Sequence, residues 1–212
     1  MLKFMTSTAI ALAVSAAASA QDEQNIDVSA FDSLDIQNGM RVYVELGGEP
    51  GVRIEGDASD FELIEIDVHN GELTVSRDTN WFGSNERIDA RVYVTGAQVD
   101  DIEVRRGAIA EISGLDADQL RVRVSTGAEL ELSGACGEMD LETNTGSVVD
   151  ARALECQMVE AGGSTGSSMR VTATSSIEGR ASMGASLRVY GNPERRDLRS
   201  SMGGSVRVVS SD

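Results

Sequence analysis

Lysine is almost missing from this chain of 212 residues: Lys3 is the only one, beside 17 arginines. Histidine and cysteine are nearly as scarce, limited to His69, Cys136 and Cys156, which argues against a metal site built on those ligands. Aromatic residues make up 4% and there are two prolines, while Gly, Ser, Val and Ala abound, the composition of a thin interior. Positive charge is in deficit too. Eighteen basic residues face 35 acids, net −17, which excludes nucleic acid as the natural partner. Beyond residue 20 no apolar run approaches the length of a bilayer span.

Residues 1–20 hold Lys3, an Ala-rich apolar run from Phe4 and the triplet Ala18-Ser19-Ala20, the pattern of a secretory signal cleaved before Gln21. A membrane anchor is the alternative, but the run is short and weakly apolar. No cysteine follows the cleavage point, so no lipid anchor is expected. The mature chain, residues 21–212, is therefore expected to be one exported domain without a transmembrane segment, in the periplasm or at the cell surface. Its charge is polarised: residues 21–163 carry 10 Arg and 31 acids, net −21, whereas residues 164–212 carry 7 Arg and 4 acids, net +3.

The richest signal is a repeat. Gly107, Gly127, Gly146, Gly166, Gly184 and Gly203 recur at intervals of 18 to 20 residues, each followed by a small residue and by apolar positions three and five residues on. Those positions read Ala110, Leu130, Val149, Met169, Leu187, Val206 and Ile112, Leu132, Ala151, Val171, Val189, Val208. Both columns alternate with polar neighbours, so each copy holds a strand with one buried face. A second strand precedes each glycine, and its innermost column shrinks through Val124, Thr143, Gly163, Ala181 and Ser200, as if the interior narrowed. The glycine marks a corner where positive φ is needed. The polar column Ser125, Asn144, Ser164, Ser182 and Ser201 suits a hydrogen-bonded ladder there. With no helical segment between copies, the expected fold is all-β, a right-handed parallel β-helix (β-solenoid) with its regular coils in residues 105–212.

Residues 31–104 read as paired strands. Asn38-Gly39 and Asn70-Gly71 each lie between alternating apolar runs, the strongest short signal for a hairpin. These strands form either first coils or a sheet capping the open end. The run Phe31-Asp-Ser-Leu-Asp-Ile, with Asn38-Gly39-Met40-Arg41-Val42-Tyr43-Val44, Val52-Arg53-Ile54 and Asn70-Gly71-Glu72-Leu73-Thr74-Val75, resembles the opening of the autotransporter adhesin "head GIN" domain family. The likeness continues through the glycine repeats. It implies a right-handed β-helix in an exported bacterial protein with an adhesin-like role, and it brings no catalytic residues. Where the family name has Gly-Ile-Asn this chain has Gly39-Met40-Arg41, and nothing in it reads as a translocating barrel.

Candidate sites follow from the register. Cys136 and Cys156 each stand ten residues before a corner glycine, so they share a column in adjacent coils, within disulfide range; two buried thiols are the alternative. Trp81 and Phe82, in a polar loop, offer either an exposed platform for a sugar or partner or a cover for the end of the core. The fourth position after each glycine points outward and reads Glu111, Glu131, Asp150, Arg170, Arg188, Arg207, three acids and then three arginines. Arg170, Arg188 and Arg207, with Arg195 and Arg196 near the last coil, suit the carboxylates or phosphates of a surface polymer; the plainer account is a solvated face that protects the edge.

Catalysis finds little support. Gly162-Gly163-Ser164-Thr165-Gly166 matches the G-x-S-x-G pattern, but it coincides with a repeating corner and no helix follows. Acidic pairs such as Asp140 and Glu142 are explained by outward columns of alternating charge, Asp101, Arg121, Asp140 and Glu103, Arg123, Glu142. The expected function is an exported non-enzymatic binding module of the envelope, with no cofactor, recognising anionic polysaccharide or an envelope protein. A self-associating structural module, a homo-oligomer, is the alternative, and a polysaccharide-cleaving enzyme a third reading.

Overall fold

The computed structural model describes residues 22–77 and 88–209. In chain order the elements are β1 (Asp22–Ile26), β2 (Ser33–Ile36), β3 (Arg41–Leu46), β4 (Gly51–Gly56), α1 (Ala58–Phe61), β5 (Ile64–His69), β6 (Glu72–Arg77), β7 (Arg91–Gly96), β8 (Asp101–Arg105), β9 (Ile109–Ser125), β10 (Glu129–Thr143), β11 (Val148–Gly163), β12 (Ser168–Ala181), β13 (Ser186–Tyr190), β14 (Arg195–Ser200) and β15 (Ser205–Val208). The chain is all-β, 68% strand and 2% helix, wound as a parallel β-solenoid of about five turns.

Each coil is made by one sharp corner. At Thr126-Gly127 both residues are left-handed, φ 58° and 70°, and the Ala128 N–H reaches back to the Ser125 carbonyl at 3.4 Å, so the chain reverses in four residues. The same pair of left-handed residues recurs at 106–107, 145–146, 165–166, 183–184 and 202–203. Corners are tied to one another by backbone bonds: the Gly107 N–H donates to Thr126 O, Gly127 to Thr145 O and Gly146 to Thr165 O, at 2.9–3.0 Å. The polar column beside them stacks through its backbone, with Asn144 N–H on Val124 O and Ser164 N–H on Thr143 O, more than through side chains. On the other side of the coil the long strands β9 and β10 bend at glycines. Gly134 sits so close to the strand below that an added Cβ would lie 2.1 Å from Leu115 O.

Strands before the corners stack into one sheet and strands after them into a second, and their inward columns make one continuous core. Beside the glycines of the shrinking column and its neighbour the space is filled. Met169 and Leu187 reach across: a Cβ on Gly163 would strike Met169 Cε at 2.3 Å, and one on Gly179 would strike Leu187 Cδ2 at 2.6 Å. Large and small groups interdigitate at these two levels. Inside it, the buried Ser147 and Ser167 hydroxyls are satisfied by Val124 O at 3.0 Å and Thr143 Oγ1 at 2.9 Å.

The N-terminal strands correct one expectation. Asn38-Gly39 has the predicted left-handed geometry, φ 61° and 75°, but β2 and β3 do not pair with each other. β2 lies parallel to β6 and β8, and β3 parallel to β7 and β9, so this turn is a coil corner; Gly39 N–H bonds Arg106 O at 3.0 Å. The turn chemistry is identical in the two cases, and inward Ile36 and Val42 are drawn into two facing sheets rather than one. Asn70-Gly71 is a true hairpin, joining antiparallel β5 and β6. Stacking order therefore departs from chain order: the β2–β3 coil is inserted between β6–β7 and β8–β9. Antiparallel β5 edges one sheet and antiparallel β4 and β1 edge the other, closing this end of the stack.

Candidate binding face

The outward residues of the second sheet form a continuous register ladder. From the N-terminal edge it runs Asn25, Arg53, Tyr93, Tyr43, Glu111, Glu131, Asp150, Arg170, Arg188, Arg207. From Arg53 to Arg188 each member is flanked in its own strand by buried residues, such as Val42 and Val44 around Tyr43 or Leu187 and Val189 around Arg188, and this alternation aims it at solvent; Arg207 lies between half-buried Val206 and Val208. The three acids and three arginines expected in one column are therefore register partners.

At the N-terminal end the ladder becomes aromatic. Tyr43 and Tyr93 stack with centroids 5.3 Å apart and 20° between planes, and the Arg53 guanidinium lies 4.4 Å over Tyr93. Arg53 is held by Glu55 and Glu23. Tyr43, Tyr93 and Arg53, with Glu45, Glu111 and Glu131, line an open groove of about 570 Å³. Sequence reasoning missed it, because Tyr43 and Tyr93 are 50 residues apart and meet only through the inserted coil; two copies of the triplet Val-Tyr-Val, at 42–44 and 92–94, were the available signal.

At the other end the arginines differ among themselves. Arg170 is half-buried and pairs with Asp150 at 3.4 Å, whereas Arg188 and Arg207 are exposed and make no ion pair among the described residues. Asp150 also receives Arg152 through Nε and Nη2, both at 2.8 Å, and this hydrogen bonding holds its carboxyl below the ordinary range. Arg195 and Arg196 start β14 on the other sheet, and Arg196 is bound to Pro193 O and Asn192 Oδ1. Trp81 and Phe82 lie outside the described residues.

The first sheet carries the alternating columns. Asp101 pairs with Arg121 at 3.5 Å and, diagonally, with Arg123 at 3.0 Å. One member is unusual. Asp35 is 6% exposed; its Oδ2 accepts from Arg105 at 2.7 Å, and its Oδ1 has no partner. Burial pushes its carboxyl up, against the pull of Arg105.

Cys136 and Cys156 are register partners on β10 and β11, Cα atoms 4.5 Å apart and sulfurs joined. Ser164 sits at a corner in the middle of the stack, while His69 ends edge strand β5 at the closed end, so the two do not form a catalytic pair. No helix among the described residues is long and apolar enough to cross a membrane.

Comparison with known proteins agrees with this architecture. Residues 30–193 match the family model described as "putative auto-transporter adhesin, head GIN domain". A solved "putative adhesin" of Bacteroides fragilis is similar over 91% of this chain and 98% of its own, with 17% identity and a TM-score of 0.69. A "putative lipid binding protein" of Parabacteroides distasonis is similar over 91% and 98%, with 12% identity and a TM-score of 0.51. A "putative adhesin" of Parabacteroides merdae covers 91% and 97%, at 13% identity and a TM-score of 0.50. No curated protein matches the chain.

Proposed function

Because the chain belongs to the auto-transporter adhesin head GIN domain family, we propose that it is an exported, non-enzymatic adhesin-like module of the cell envelope that holds an anionic polysaccharide or an envelope protein against its outer face. The observation that carries the reading is the ladder. Three arginines stand in register on consecutive strands whose backbones lie about 4.8 Å apart, two of them exposed and unpaired among the described residues. Planar guanidinium forks suit carboxylates and phosphates. On the same face the stacked tyrosines border an open groove, a surface on which a sugar ring can rest.

The test is binding of the purified chain to an array of acidic and neutral envelope glycans at low and at moderate salt. Salt-sensitive binding to acidic glycans is expected, lost in the Arg170→Glu/Arg188→Glu/Arg207→Glu variant and weakened by Tyr43→Ala. Undiminished binding by the triple variant overturns the role given to the arginines. A Trp81→Ala variant in the same array separates a ligand contact from a cover for the core. Self-association is the second reading, favoured by the opposite charge of the two halves of the ladder.

A further inference from the structure

The order of charges along the ladder is self-complementary. Counted by strands, Glu111, Glu131 and Asp150 precede Arg170, Arg188 and Arg207 with no interruption. A two-fold axis lying in the interface, parallel to the strands and passing between Asp150 and Arg170, lays each acid of one copy over an arginine of another: Glu111 over Arg207, Glu131 over Arg188, Asp150 over Arg170. Any shift by one strand puts Asp150 over Asp150 or Arg170 over Arg170 at the axis. Within a single chain the stacked acids repel one another, as do Arg188 and Arg207. An opposed copy offsets both repulsions with attractions across the interface.

The flanking columns agree with the same operation. Two residues before the ladder stand Ile109, Glu129 and Val148, followed by Ser168, Ser186 and Ser205. Two residues after it stand Ser113, Ser133 and Arg152, followed by Thr172, Tyr190 and Val209. The axis brings Ile109 to Ser205, Glu129 to Ser186 and Val148 to Ser168 in the first column, and Ser113 to Val209, Ser133 to Tyr190 and Arg152 to Thr172 in the second. No like charges meet, and the three serines leave the arginine half low enough for close approach. The partner's last described coil ends over Glu111 and stops short of Tyr43.

We propose that this face is the interface of an isologous, salt-sensitive dimer, its occupant a second copy of the chain docked face to face about that axis. The proposal deepens the self-association reading and does not require the polymer. The closed two-fold arrangement uses all six charges on each copy, whereas a head-to-tail shift leaves half of them unmatched and propagates as a filament. Six strands of five residues cover about 29 by 17 Å, roughly 500 Å² per copy, which is below the ~800 Å² per partner of stable complexes. The dimer is accordingly weak, and an acidic polymer competes for its arginines.

Sedimentation of the full chain over a range of concentrations tests it, with circular dichroism to show that each variant keeps its sheet. At low salt the chain is expected in reversible monomer–dimer exchange, weakened about tenfold or more at high salt, where the screening length falls to a few ångströms. Arg188→Glu/Arg207→Glu is expected to be monomeric, and so is Glu111→Arg/Glu131→Arg. Mixing those two variants is expected to give a heterodimer, and combining all four changes in one chain to restore the homodimer. A wild-type monomer at low salt overturns the proposal. So does a four-fold variant that stays monomeric, or a species that keeps growing beyond dimer. Acidic-glycan binding by a chain that is monomeric at low salt upholds the proposed function and overturns the dimer.

Discussion

Thr126, Thr145 and Thr165 hold left-handed φ values of 58°, 52° and 52°, a conformation that costs a β-branched residue about 1–2 kcal/mol. Asparagine tolerates it better, so Thr126→Asn is expected to raise stability by about 1 kcal/mol in urea unfolding. The neighbouring Gly127→Ala is expected to lose about that much although its Cβ would meet nothing within 4 Å, because φ is +70°. The glycine column was legible in sequence; its left-handed partner was not, since Arg, Thr and Met occupy that position and none announces a turn. Two carboxylates give opposite pH signatures. Asp35 is raised by burial, so the fold loses stability as pH rises through its folded value, and Asp35→Asn gains on wild type toward neutral pH. Asp150 is lowered by Arg152, so its contribution is present above the unfolded value and lost as pH falls through the folded one. Asp150→Asn is thus near-neutral in acid and destabilising above it. Unfolding midpoints of both variants from pH 3 to pH 7 check the two signs, where equal slopes refute the assignment.

Among elements, the four long strands β9 to β12 were readable because their inward columns repeat, and the cysteine column followed from the same count. The bridge from β10 to β11 closes a loop with a sequence separation of 20, and constraining such a loop in the unfolded chain is worth about 3 kcal/mol. Replacing Cys136 and Cys156 by Ala is expected to lower stability by that order. Thiol titration of the denatured wild type should find two thiols only after reduction, and two titratable thiols without reductant would remove the bridge. The placement of β2 and β3 was not readable. Asn38-Gly39 carries the hairpin signature, and whether its flanking strands bond each other or face each other is decided by β6, β7, β8 and β9, which supply parallel neighbours on both sides. The tyrosine groove depends on that same insertion, which is why local pattern could not reveal it.

For the whole molecule, a stack of coils has two ends, and here they are unlike. Antiparallel β1, β4 and β5 close the N-terminal end, whereas at the other Leu198, Val206 and Val208 are only half-buried against the core and Met202 is 78% exposed. Each coil is stabilised mainly by its neighbours, so a coil with one neighbour opens first. The strands β14 and β15 are therefore expected to exchange their amide hydrogens at least about 100-fold faster than β10 and β11, which have a coil on each side and the disulfide between them. Adding the dimer leaves this gradient largely in place, because face-to-face docking covers side chains and not the free backbone edge of β15. A second copy added edge to edge would do the opposite and protect β15 selectively as concentration rises. Exchange measured at two protein concentrations thus distinguishes the ways in which this charge-polarised solenoid can meet its own kind: protection that rises with concentration along all six strands of the ladder fits the face-to-face pair, and protection confined to β15 rules it out in favour of strand addition.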